Sequence, residues 1–198
     1  MSVLLIAGSP SAHSRSSALL DAVEQGLHEK AGARRLYTDR VHIRDLSPQA
    51  LLLADWNHAS IKRALAQVES ASALVIATPV YKAAYSGVLK VFLDLLAQTA
   101  LKGKVVLPIA TGGSPHHMLA LDYALRPVLQ SLGARHILPG VYASDSQIPK
   151  DEDGRYRIGA ETDARLDDAI LTLLNEGLRL PVQPGFEAVP FEAVQYSF

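Results

Sequence analysis

Continuous hydrophobic runs and helical hydrophobic periods alternate along most of the chain. Three runs have the length and the flanking Gly and Pro residues typical of strands buried on both faces of a sheet. They are Val3–Ala7, Ala73–Thr78, which we expect to stop at Pro79, and Lys104–Ala110. Two weaker strands are predicted, one within Arg40–Leu46 and one in the short segments His136–Leu138 and Val141–Ala143.

Apolar residues recur at helical spacing between these runs. The predicted helices are one containing Leu20, Val23 and Leu27, one containing Ile61, Leu65 and Val68, Ser86–Gln98, Pro115–Leu132, and one from Leu166 to Leu178. Ser16 and Ser17 are hydroxyl residues able to cap the first of them. Pro127 interrupts the fourth helix near Tyr123, and π-bulges cluster at functional sites. Tyr123 is therefore either a functional residue or an ordinary buried one.

This alternation predicts an α/β fold with a parallel sheet between two layers of helices. Turns that carry candidate functional residues come after the first, third and fourth of the five predicted strands. This favours the strand order 2-1-3-4-5, in which ligands bind at the carboxyl ends of the strands, near the switch point between strands 1 and 3. We expect one domain over residues 1–180 and a C-terminal tail over 181–198. The tail aromatics, Phe186, Phe191, Tyr196 and Phe198, are either solvent-exposed or part of a strap on a neighbouring subunit.

Composition excludes several function classes. The 198 residues are 48% hydrophobic with a net charge of −1, which argues against disorder and against a nucleic-acid or polybasic membrane surface. The absence of cysteine excludes disulfides, thiolate metal sites and a Cys nucleophile. His116 and His117 are adjacent and point apart on a helix, so we expect no metal site. With no secretory signal and no membrane span, the expected location is the cytoplasm.

The turn Gly8–Ser17 joins the first strand to the first helix and is rich in hydrogen-bond donors. Serine hydroxyls, the Arg15 guanidinium and the free N–H groups of a helix start can together bind a phosphate. The turn matches neither the dinucleotide-binding fingerprint nor the Walker loop. The alternative is a solvated helix cap, but the number of polar residues exceeds what capping requires.

Two further turns fall at the same edge of the predicted sheet. Thr78–Gly87 carries Tyr81, whose ring offers a stacking surface for a flat heterocycle, although an ordinary loop with Tyr81 in the core is the alternative. Thr111–Ser114 contains paired glycines that let backbone approach a ligand closely. No nucleophile-elbow motif is present, so hydrolase chemistry is not expected.

The order of GSP, SRSS, ATPVYKAAYSGVLKVFLDLL, GKVVLPIATGG, LALDYALRPVL and GVYASDSQI resembles the NADPH-dependent FMN reductases of two-component alkanesulfonate monooxygenase systems. The resemblance covers residues 3–148 and is most specific over Ala77–Asp94. It implies a flavodoxin-like three-layer sandwich that binds FMN loosely as a substrate. It also implies hydride transfer from nicotinamide C4 of NADPH to flavin N5, with reduced FMN supplied to an alkanesulfonate monooxygenase for sulfur acquisition. The near absence of Cys and Met is compatible with synthesis during sulfur limitation.

The resemblance also assigns residues. Those implied to hold the FMN phosphate are Ser9, Ser14, Arg15, Ser16 and Ser17. Those implied to border the flavin ring are Pro79, Val80 and Tyr81 on one side, and Thr111, Gly112, Gly113 and Ser114 opposite. Tyr123 corresponds to a π-bulge at a homotetramer interface. Ser11 stands where many relatives carry Arg, which leaves Arg15 as the cation of the turn. Because the cofactors carry the chemistry, no catalytic side chain is expected.

Two other functions fit the same fold. One is an NAD(P)H quinone or azo reductase with FMN as a bound prosthetic group, acting by a ping-pong mechanism. The other is a flavodoxin-type electron carrier that oxidises no nicotinamide. Carriers usually dock through strongly acidic surfaces, and a net charge of −1 argues against that function.

Overall fold

The structure is a computed structural model, and it describes residues 1–31 and 35–178. The predicted tail, 181–198, lies outside the described residues. The strands are β1 (Ser2–Ala7), β2 (Tyr37–His42), β3 (Ala73–Tyr81), β4 (Ala84–Tyr85), β5 (Val105–Gly112), β6 (His136–Ile137) and β7 (Val141–Ser144). The α-helices are α1 (Arg15–Lys30), α2 (Pro48–Leu52), α3 (Ala59–Ser70), α4 (Gly87–Leu93), α5 (Arg126–Ser131) and α6 (Ala160–Thr172).

The predicted α/β fold and strand order are confirmed. The path through the sheet is β2-β1-β3-β5-β6, and every pairing along it is parallel. The described sheet has seven strands where five were predicted, for two reasons. The last position is divided between β6 and β7, which both pair with β5, and β4 adds an antiparallel hairpin strand to β3.

Side chains that alternate along the central strands form two hydrophobic cores. Leu4, Ile6 and Ile76 point to the face covered by α3, α4 and α5. Leu5 and Val75 point to the opposite face, which α1 and α6 cover. All five side chains are buried. Because both faces of the sheet are covered by helices, consecutive strand residues must be apolar, as is typical of a parallel sheet between two helical layers.

Several predicted boundaries are wrong. The second strand is Tyr37–His42, earlier than the predicted Arg40–Leu46, because Ile43–Asp45 form a 3₁₀ turn. β3 does not stop at Pro79: its pairing with β4 through Val80 and Tyr81 prolongs it. The N-cap of α1 is Ser14, whose Oγ accepts the Ser17 N–H, so Ser16 and Ser17 lie inside the first turn.

Two predicted helices are also shorter or less regular than expected. α4 ends at Leu93 and does not reach Gln98. The N–H groups of Leu95 and Leu96 bond three residues back, and Trp56 Nε1 donates to the Leu95 carbonyl at 3.1 Å. The segment Pro115–Leu132 is not one helix. It is a 3₁₀ turn (Pro115–Met118), a π-helix (Leu121–Leu125) and α5, which has Pro127 in its first turn, where a missing N–H costs nothing.

The turn between β3 and β4 is strained. Lys82 and Ala83 have φ values of 49° and 66°, the left-handed region that a two-residue hairpin requires and that disfavours residues other than glycine. We expect Ala83→Gly to stabilise the fold by about 0.5–1 kcal/mol and to raise Tm by about 1–4 °C in thermal unfolding. Ala84→Gly, one residue later in the strand, is the control and should lower Tm. An equal fall in Tm in both variants would show that the turn is not strained at Ala83.

Candidate flavin site

The three predicted turns converge on one cleft. They follow β1, β3 and β5, whose carboxyl ends lie at the same edge of the sheet, near the point where the strand order reverses. The cleft has a volume of about 290 Å³. Its lining residues are Ser11, His13, Ser14, Arg15, Pro79, Val80, Tyr81, Thr111, Gly112, Gly113, Asp145 and Tyr156. Eight of the twelve residues implied to bind FMN therefore border it directly, and the other four, Ser9, Ser16, Ser17 and Ser114, do not line it.

A cluster of serine hydroxyls lies at the start of α1, and its central member, Ser14, lines the cleft. Ser14 Oγ lies 3.1 Å from Ser16 Oγ and 2.8 Å from Ser17 Oγ. It also accepts the Ser17 N–H at 3.1 Å. The hydroxyls and the free N–H groups of the first turn are neutral donors at the electropositive end of a 16-residue helix, a geometry suited to a phosphate.

Ser9 has a different position. It is buried, and its Oγ accepts the Ser11 N–H at 3.1 Å, so it stabilises the turn from within. The preceding Gly8 approaches β3 closely: its N–H donates to the Ala77 carbonyl, and a Cβ there would lie 3.0 Å from that oxygen. Glycine is required at this position by the close approach of two backbones.

The Arg15 guanidinium is already engaged within the protein. Its Nε donates to the Ile148 carbonyl at 3.0 Å, and Nη1 lies 3.3 Å from Asp145 Oδ2. The guanidinium carbon is also 5.1 Å from the centroid of the Tyr156 ring, within cation–π distance. Arg15 borders the cleft, but the Asp145 carboxylate offsets most of its charge.

The β3–β4 hairpin forms the apolar side of the cleft. Pro79 and Val80 are the last residues of β3 to be buried, and Tyr81 projects with 48% of its surface exposed. Its placement is set by the strained turn at Lys82 and Ala83. An exposed aromatic ring on a short hairpin provides a flat surface beside the serine cluster, as stacking on a heterocycle requires.

The turn after β5 forms the opposite side. A Cβ on Gly112 would lie 2.8 Å from Tyr142 Oη and 3.2 Å from His117 Nδ1, whereas one on Gly113 would make an ordinary contact with Asp145 Oδ2 at 3.9 Å. Gly112 is thus required by packing behind the turn, and Gly113 leaves room in front. Burial raises the pKa of Tyr142, and Asp145 raises it further, so the protonated hydroxyl donates to the Ser114 carbonyl and holds the turn.

Tyr123 lies away from the cleft. It is in the middle of the π-helix Leu121–Leu125, and 79% of its surface is exposed. Met118 and Leu119, one turn earlier, are also more than half exposed. The expectation of an ordinary buried tyrosine is wrong, and the segment presents apolar surface to the outside of the described chain.

Sequence reasoning missed residues that support the site from a distance. Ser86 is buried at the start of α4 and donates to the Gly8 carbonyl, which ties the second turn to the first. Asp145 and Tyr156 reach the cleft from the segment after β7 and contact Arg15. A serine before a predicted helix was the available signal for Ser86; no local signal places Asp145 or Tyr156 beside Arg15.

Within residues 1–31 and 35–178, no group of three or more His, Asp or Glu side chains is arranged to hold a metal ion. No helix in that part of the chain is both long and apolar enough to cross a membrane.

Comparisons with known proteins agree with this geometry. A model described as "NADPH-dependent FMN reductase" matches residues 1–148. The chain belongs to the NADPH-dependent FMN reductase family. Family membership makes it an oxidoreductase whose ligands are FMN and NADPH, as the resemblance implied.

Individual relatives extend over most of the chain. FMN reductase (NADPH) of Escherichia coli K12 is 44% identical over 183 residues, which is 92% of this chain and 93% of that protein. The NADH-dependent FMN reductase SfnF of Pseudomonas putida is 34% identical over 143 residues, 72% of this chain and 76% of that protein. The solved apo structure of the NADH:FMN oxidoreductase EMOB is 38% identical, with a TM-score of 0.79 over 92% of this chain and 91% of that one.

The cleft suits the chemical parts of FMN. The serine cluster and the start of α1 would hold the phosphate, and Tyr81, with the backbone of Gly112 and Gly113, would flank the ring. Bound FMN supplies the acceptor for a hydride, a step for which the protein provides position and electrostatics.

Proposed function

We propose that the protein reduces FMN as an exchangeable substrate with NADPH, acts in the cytoplasm and supplies reduced FMN to an alkanesulfonate monooxygenase. The observation that carries the proposal is the charge balance of the phosphate end. A phosphate carries about two negative charges at neutral pH. Here it meets neutral serine hydroxyls, because Arg15 is paired with Asp145 and position 11 is Ser. Neutral donors bind anions less strongly than guanidinium groups do, which favours release of the flavin after reduction.

The test is NADPH oxidation at 340 nm by purified, flavin-stripped protein. We expect no turnover without flavin and saturation kinetics in added FMN. Equilibrium dialysis should show FMN exchanging within minutes. Flavin that survives purification, with FMN-independent reduction of quinones or azo dyes, would instead support the reductase with a prosthetic group. An electron carrier would oxidise no NADPH in either assay.

The identity of the acceptor is tested in a coupled reaction. Release of sulfite from an alkanesulfonate by an FMNH₂-dependent monooxygenase should depend on this protein, NADPH and FMN together. The resemblance over residues 3–148 supports this partner. A reductase that fails to support sulfite release while reducing FMN normally would separate the monooxygenase assignment from the reductase activity.

We also propose a homotetramer with Tyr123 at an interface. The exposed apolar residues Met118, Leu119 and Tyr123 support this, since large exposed apolar patches mark interaction surfaces. We expect Tyr123→Ala to lower the mass measured by light scattering from four subunits to two. Tyr37→Ala is the control, since Tyr37 is also exposed and lies at the start of β2. A monomeric wild-type protein at micromolar concentration would refute the assembly.

A further inference from the structure

A short hairpin, residues 147–159, lies beside the phosphate-binding turn Gly8–Ser17. It contains an antiparallel bridge between Lys150 and Tyr156. The Asp151 N–H donates to the Arg155 carbonyl at 2.8 Å, and Gly154 has a φ of 76° at the tip. All but its first two residues follow the part of the chain that the family model matches, residues 1–148.

Asp151 holds the tip of this hairpin. Its Oδ1 accepts the Arg155 N–H at 2.8 Å, and its Oδ2 accepts from Arg157 Nε at 3.2 Å. The hydrogen bond from the Arg155 N–H is the main cause that lowers the pKa of Asp151, so the carboxylate is charged at neutral pH. These hydrogen bonds hold the backbone of Arg155 in place at the tip of the hairpin.

A cavity of about 470 Å³ separates the hairpin tip from the start of α1. Its lining includes His13, Ser14 and Ser17 from the turn and Asp153, Arg155 and Tyr156 from the hairpin. Three of these residues, His13, Ser14 and Tyr156, also line the flavin cleft. The two spaces are therefore neighbours on either side of these residues.

Arg155 is the cation available in this cavity. Its guanidinium has no hydrogen bond or ion pair with another described residue, whereas Arg15 is paired with Asp145. Of the two acidic groups that border the cavity, Asp21 is paired with Arg40, and Asp153 is at the exposed tip. An unpaired guanidinium is a charge-assisted donor suited to a phosphate monoester, and it lines the cavity with Ser14 and Ser17, which serve the FMN phosphate.

We propose that this cavity receives the 2′-phosphate of NADPH and that Arg155 distinguishes NADPH from NADH, an inference that rests on the function proposed above. The serine cluster takes the FMN phosphate, and two dianions cannot share one cluster, so the second phosphate needs its own cation. NADPH and NADH differ only in that group. Because relatives named for NADPH and for NADH both match the chain, the shared residues alone do not fix the preference.

The test compares nucleotide kinetics in Arg155→Ala. We expect KM for NADPH to rise about 10-fold, the effect of one charge-assisted contact at an accessible site, with KM for NADH and for FMN within twofold of wild type. Arg155→Lys should recover part of the loss. Arg63→Ala is the control, because Arg63 is an exposed arginine on α3 that lines neither the cavity nor the cleft; its KM values should stay near wild type.

A binding measurement is independent of turnover. By calorimetry, Arg155→Ala should weaken the binding of 2′-AMP about 10-fold and leave the binding of 5′-AMP unchanged. A rise in KM for FMN without a change for NADPH would overturn the proposal and assign Arg155 to the flavin phosphate. Equal losses for NADPH and NADH would also overturn it. Protein that binds 2′-AMP through Arg155 but reduces no flavin would contradict the proposed function and leave the cavity assignment standing.

Discussion

In Ser17→Asp, we expect the Kd for FMN to rise about 100-fold while the Kd for riboflavin stays within twofold of wild type. Ser17 Oγ is part of the hydroxyl cluster, 2.8 Å from Ser14 Oγ. We take a separation of about 5 Å between a carboxylate at this position and a phosphate held by the cluster. For about two negative charges on the phosphate and an effective dielectric constant of about 40 at this open site, that repulsion is about 3 kcal/mol, or about 100-fold. Riboflavin lacks the phosphate and avoids the repulsion. Quenching of flavin fluorescence measures both constants without a nicotinamide.

The same substitution carries its own folding control. Ser17 is the third residue of α1, and the first turn of that helix contains no acidic residue. A carboxylate near a helix N-terminus is stabilising, by about 0.3–1 kcal/mol, so Tm should not fall. Ser17→Ala removes one hydroxyl and should weaken FMN only a few-fold. Equal losses of FMN and riboflavin in Ser17→Asp would show that the serine cluster does not hold the phosphate.

The parts of the fold that could be predicted from the sequence are those fixed by local pattern. β1, β3 and β5 are buried on both faces, so each appears as an unbroken apolar run, and the order of the sheet follows from where polar turns succeed those runs. The cleft could be located for the same reason. The carboxyl ends of neighbouring parallel strands must meet at one edge, whatever their side chains do.

What could not be predicted depends on contacts between distant segments. Arg15 is predicted to hold the phosphate, and the structure adds contacts of its guanidinium with Asp145 and the Ile148 carbonyl, more than 100 residues later. α4 was expected to reach Gln98, but Trp56 takes a carbonyl just beyond its end. Periodicity along the chain carries no information about either contact. Periodicity does not show the helix type either: only the family resemblance implies a π-bulge at Tyr123, which lies in the π-helix Leu121–Leu125.

We expect Ser86→Ala to destabilise the fold by about 2–4 kcal/mol, because it removes a helix cap and a buried hydrogen bond together. Ser86 is 1% exposed; its Oγ accepts the Leu89 N–H at 3.3 Å as the N-cap of α4 and donates to the Gly8 carbonyl. The lost cap is worth about 1 kcal/mol, and a buried carbonyl left without its donor costs about 1–3 kcal/mol. Tm should fall by about 5–10 °C in thermal unfolding.

Ser47→Ala separates these two contributions. Ser47 caps α2 in the same way, accepting the Ala50 N–H at 3.3 Å, but it is only partly buried and its hydroxyl satisfies no distant carbonyl among the described residues. Its loss should be about 1 kcal/mol in urea unfolding. If both variants lose the same free energy, the bond to Gly8 contributes nothing. A larger loss in Ser86→Ala, with a raised KM for FMN below the unfolding transition, would show that one buried hydroxyl couples α4 to the phosphate-binding turn.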